Sequence, residues 1–62
     1  MHALEVIIAK NAEAAGRAEA HAANDGDVER ATKILRTAIF SCESPEQIEA
    51  YGRGYLRGRQ EG

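Results

Sequence analysis

Apolar and small residues recur at three- and four-residue steps from about residue 3 to residue 23: Leu4, Ile8, Ala12, Ala15, Ala18 and Ala22. That is the period of one helical face. The residues between them are mostly alanine, glutamate, lysine and arginine, all strong helix formers. The pattern predicts a first helix over about 3–23. Its bulky residues lie at the front and its small ones behind, so large contacts are expected near its N-terminal end. Gly16 costs about 1 kcal/mol relative to alanine inside a helix; it either permits a close helix crossing or is merely tolerated. Glu13 and Arg17, four apart, are expected to pair on the wet face.

Asn24-Asp25-Gly26-Asp27 is a cluster of turn formers that ends this segment. Asp25 or Asp27 can cap the next helix by accepting backbone N–H bonds. That second helix is predicted over about 28–40, with Val28, Ala31, Leu35, Ala38 and Ile39 as its buried stripe and Ile34 widening it. Glu29 and Lys33 stand in the favourable acid-before-base order.

Ser41 to Pro45 is the second break. Ser44 suits an N-cap, Pro45 the first helical position and Gln47 the capping-box position. A shorter third helix is therefore expected over about 45–57, with Ile48, Tyr51, Tyr55 and Leu56 along one side. Gly52, Gly54 and Gly58 argue that it frays by about residue 57 and survives only through packing. The expected fold is all-α: a helical hairpin with a third helix laid across it, in a single domain spanning residues 1–62.

Composition changes this picture mainly through size. The hydrophobic fraction is 44% over 62 residues, but twelve of those apolar residues are alanines. A chain of about 60 residues buries only about 60% of its unfolded surface, so small scaffolds commonly need a staple. Cys42 is the single cysteine, which excludes an internal disulfide. His2 and His21 are too few for a closed zinc site, which wants four ligands. A homodimer or higher oligomer is the expected remedy, through Leu4, Ile8, Ala15 and Phe40. A calcium loop at residues 24–27 is rejected for want of the required ligand spacing. No cofactor or metal is expected.

The formal net charge is -2, which gives no global pull toward nucleic acid or anionic membranes. The apolar run from Val6 to Ala9 is far too short to span a bilayer. No basic leader precedes it, so a cytoplasmic location is expected.

Candidate chemistry is sparse. Cys42 precedes a helix N-terminus, where a thiolate is favoured, but it lacks a base and an orienting group nearby in sequence. His21 suits the C-terminal end of a helix dipole. Glu43, Glu46 and Glu49 are close together, yet Glu46 is explained as a first-turn acid and Glu49 as part of a wet face. A chain this short has little room for a concave site, and no enzyme is expected. The segment from Tyr51 to Arg59 stands out, with three arginines, two tyrosines and no acid. Arginine and tyrosine are enriched at binding hot spots, and they also contact phosphates and stack on bases.

The expected function is a small helical protein-binding module that modulates a larger protein by steric docking. Tyr51, Arg53, Tyr55, Leu56, Arg57 and Arg59 are the expected partner-binding residues. Nucleic-acid binding through the same residues is the alternative, disfavoured because Glu46 and Glu49 open the would-be recognition helix. A structural homo-oligomer subunit is the third reading. In its shortness, turn signals and compact helical pattern the chain looks like the small accessory proteins of bacteria and their viruses. That resemblance rests on no motif and implies only a regulator that grips a larger host protein.

Overall fold

The computed structural model of the protein describes residues 11–62. Three helices fill this range: α1 (Ala12–Asn24), α2 (Val28–Ser41) and α3 (Pro45–Glu61). The expected all-helical architecture is present; the oligomeric expectation lies outside what a single chain displays.

Each helix boundary has a local cause. Asn11 caps α1: its backbone is non-helical at φ -145°, and its side chain accepts from the Ala14 N–H at 3.4 Å. The helix expected over about 3–23 therefore does not run unbroken through Asn11. Asparagine competes with helical backbone bonding and favours a cap. Residues 3–10 of that expectation, with Leu4 and Ile8, lie outside the described residues. At the other end Gly26 takes φ 77°. Its N–H donates to the Ala23 carbonyl at 3.1 Å, and the Asp27 N–H donates to Ala22 at 2.8 Å. This is a Schellman closure, which needs a residue tolerant of the left-handed region. Asp27, not Asp25, caps α2 by accepting from the Arg30 N–H at 3.1 Å. Ser44 and Gln47 form the expected capping box at the start of α3.

Packing departs from expectation at α3. That helix has 17 residues, against 13 in α1 and 14 in α2, and stays helical through Glu61 rather than fraying near residue 57. Two of the three glycines that argued for fraying, Gly54 and Gly58, are what hold it. Gly54 lies against the Glu13 backbone, Gly58 against Arg17 and Ala20, and Gly16 of α1 against the Tyr51 and Tyr55 backbones. A Cβ on Gly58 would stand 2.6 Å from the Ala20 Cβ and 2.8 Å from the Arg17 carbonyl oxygen. Residue numbers rise together along both helices, so α3 runs parallel to α1. The small residues Ala12, Gly16 and Ala20 face Gly54 and Gly58 at four-residue steps, which brings the two backbones together. Polar contacts then fasten the ends. Arg17 Nε and His21 Nε2 meet Glu61 Oε1 at 2.7 and 2.8 Å, and Asn24 Nδ2 donates to the Gly58 carbonyl at 2.9 Å. Arg17 is thus paired with Glu61, whereas its expected partner Glu13 faces Arg57 at 3.8 Å.

The helix α2 also packs on α1 but makes little contact with α3, and the Cα envelope is a slab of 27 × 24 × 13 Å. The core consists mostly of alanine: Ala12, Ala15, Ala20, Ala22 and Ala38, with Ile34 the one large aliphatic buried among the described residues. The inward stripe of α2 is Ile34, Ala38 and Ser41. The expected stripe is thereby corrected, since Val28, Leu35 and Ile39 are exposed. Ile34 and Ala38 are buried as expected, and the helix is turned so that Ser41 joins them while the bulkier line stays outside.

Candidate docking surface

Part of this bulkier line forms one wall of an apolar groove. Near the turn joining α2 and α3, Leu35, Ala38, Ile39 and Cys42 face Ile48 and Tyr51 across an apolar groove of about 250 Å³. The capping box at Ser44 sets the chain's turn between the two helices, and the α1 contacts of Gly54 and Gly58 fix α3. Both walls are therefore positioned by features away from the groove itself. Ile39 is 65% exposed and Ile48 61% exposed. Apolar side chains left so open on one face mark a surface suited to another apolar surface.

The structure divides the expected partner-binding segment. Tyr51 and Tyr55 are half-buried, and Tyr51 packs against the core formed by Ala15, Ile34 and Ala38. Arg53, Leu56, Arg57 and Arg59 are exposed. The six residues are thus not one face: Tyr51 turns to the core, Arg57 reaches Glu13 of α1, and Arg53, Leu56 and Arg59 are exposed. Among the expected self-association residues, Phe40 is 82% exposed, while Ala15 is buried in the chain's own core. Sequence reasoning places Leu35 and Ile39 in the buried stripe, reads the bulk of Ile39-Phe40 as suited to an interface, and misses Leu35 and Ile48 as surface residues. The available signal was the shortage of large residues on α1, which leaves them nothing deep to enter.

The titratable groups are dispersed. Hydrogen bonds from Arg17 and His21 hold the Glu61 carboxyl below its ordinary range, and Glu61 raises Arg17 in return. Burial pushes the Glu19 carboxyl up, and its Oε1 has no hydrogen-bond partner among the described residues. Cys42 is a half-buried free thiol among apolar groove residues. Glu13, Glu43 and Glu46 border a wide, open, polar cleft near the start of α1 and α3. Among the described residues no group of three or more His, Cys, Asp or Glu is placed to hold a metal ion. No described helix is long and apolar enough to cross a membrane.

Comparison with known protein families, curated proteins and solved structures finds no match.

Proposed function

We propose that this chain is a helical protein-binding module that acts by docking on a larger protein and covering part of its surface. The observation that carries the reading is the apolar groove between α2 and α3, with Leu35, Ile39 and Ile48 open at its rim. Burying such side chains at an interface gains about 25 cal/mol per Å² of apolar surface, and a concave apolar seat suits the anchor of an apolar helix face. Phe40 and Leu56 lie outside the groove lining and offer secondary contacts.

The exposure of Arg53, Arg57 and Arg59 on one helix favours a second reading, contact with nucleic acid. One experiment separates them. The tagged chain and its Leu35→Asp/Ile39→Asp variant are used to capture partners from the native cell, with and without nuclease and at two salt concentrations. Docking predicts a stoichiometric protein that survives nuclease and moderate salt and is lost with the variant. Capture that vanishes with nuclease and falls steeply with salt supports the nucleic-acid reading. A protein captured equally by both forms refutes the groove.

A further inference from the structure

Gly52 is the one glycine inside a described helix that the fold does not explain. A Cβ on Gly16, Gly54 or Gly58 would strike another helix, whereas a Cβ on Gly52 would meet nothing within 4 Å. A helix-interior glycine without a packing reason costs about 1 kcal/mol relative to alanine. Gly52, itself half-buried, sits midway between two exposed residues, four after Ile48 and four before Leu56, which is 64% exposed. A large-small-large line at this spacing is a face on which a second helix can approach closely.

We infer that α3 pairs antiparallel with α3 of a second copy, with the two-fold axis at Gly52. The register follows from the line itself. Ile48 of one chain meets the partner's Leu56, Leu56 meets the partner's Ile48, and the two Gly52 backbones cross. The charges fit the same operation. Glu49 and Arg53 are exposed beside the apolar line, and neither makes an ion pair among the described residues. Antiparallel pairing about Gly52 brings Glu49 of each chain to within two positions, about 3 Å along the axis, of the partner's Arg53, a stagger these long side chains span, giving two equivalent pairs from one self-complementary patch. A parallel pair would set Glu49 against the partner's Glu49 and Arg53 against the partner's Arg53, so charge selects the antiparallel arrangement.

Size bounds the strength. A 17-residue helix is about 25 Å long and offers a contact strip about 10 Å wide. That falls short of the roughly 800 Å² per partner of a standard interface. The dimer is therefore a dissociable one; it shares Ile48 with the groove and leaves Leu35, Ile39 and Tyr51 outside the pairing line.

Sedimentation equilibrium of the full chain over a wide concentration range tests this. The wild type is expected to move from one chain to two as concentration rises. Glu49→Arg and Arg53→Glu alone should each weaken the dimer about tenfold, since each breaks both symmetric pairs and adds like-charge contacts. The double variant Glu49→Arg/Arg53→Glu should restore it, because it exchanges the signs and keeps self-complementarity. Gly52→Gln should abolish the dimer while circular dichroism shows the helix kept or strengthened. A wild type that stays one chain throughout overturns the inference. So does a dimer indifferent to Gly52→Gln, or a double variant no better than the two singles. Loss of the Leu35 and Ile39 groove leaves the dimer intact, so failure of docking and failure of pairing are read separately.

Discussion

Replacing Gly54 by alanine probes the contact that decides this fold. Alanine would gain about 1 kcal/mol of intrinsic helix propensity. Against that, its Cβ would lie 2.7 Å from the Glu13 carbonyl carbon and closer still to the oxygen. Both obstacles are backbone, so no flexible side chain can swing aside. The helices must separate, and α1 and α3 lose close contact along their length. Overpacking of this kind costs about 1–3 kcal/mol, and a backbone obstacle belongs at the upper end, leaving a net loss of about 1–2 kcal/mol. For a domain of this size each kcal/mol moves the melting temperature by about 4–8 °C. Gly52→Ala is the internal control. Its Cβ meets nothing, so it should gain about 0.5–1 kcal/mol when measured at a concentration where the chain is monomeric. Thermal and urea melts followed by circular dichroism read both signs. Gly54→Ala as stable as wild type, or both variants shifting in the same direction, would refute the close crossing.

Two carboxyls predict opposite pH dependences. Glu61 has its carboxyl lowered from 4.5 by the bonds from Arg17 and His21. Its contribution is therefore present above the unfolded value and lost as pH falls through the lowered folded value. The urea midpoint of Glu61→Gln should sit below wild type near neutral pH and meet it in acid, and a gap that persists in acid contradicts the pairing. Glu19 has its carboxyl raised from 4.5 by burial, so its cost is absent below the unfolded value and complete above the folded one. Glu19→Gln should be more stable than wild type near neutral pH, with the advantage shrinking on acidification; a variant that is less stable at neutral pH shows that the carboxylate has a partner.

Much of the local structure is legible in the sequence, because caps and turns are local chemistry. The box formed by Ser44 and Gln47, and the stop at Asp25-Gly26, depend on residues within a few positions of each other. The helix period of α2 is equally local, but its facing is not. Val28, Leu35 and Ile39 make the more hydrophobic line, and hydropathy alone turns them inward. What keeps Ile34 and Ala38 inward with Ser41, and those three outside, is the shape of α1, whose contact positions are alanine and glycine. The third helix shows the same limit from the other side. Propensity counts Gly54 and Gly58 as losses, and only the register of α3 on α1 turns them into the contact. The Tyr51–Arg59 segment stands out by composition, yet Tyr51 turns to the core while Arg53, Leu56 and Arg59 are exposed, which composition does not encode.

The small core and the exposed apolar residues have one cause. Helices whose backbones approach through glycine and alanine leave no volume between them for leucine or isoleucine, and close-packed interiors tolerate little excess. Among the described residues, burial of large side chains contributes little to this core. Its stability rests on backbone approach and on end contacts such as Arg17 to Glu61 and Asn24 to Gly58. Leu35, Ile39, Ile48 and Leu56 are at least 40% exposed, and each such surface carries a cost in solubility. A single scattered apolar residue on a surface is ordinary. Four of them arranged as a groove wall and a helix line, with an unexplained glycine between two of them, are arranged for contact with other molecules. The same reasoning separates the two surfaces. The groove is concave and flanked by core residues, which suits a foreign side chain, whereas the Ile48–Gly52–Leu56 line, which shares Ile48 with the groove, is convex and carries its own complementary charges, which suits a second copy.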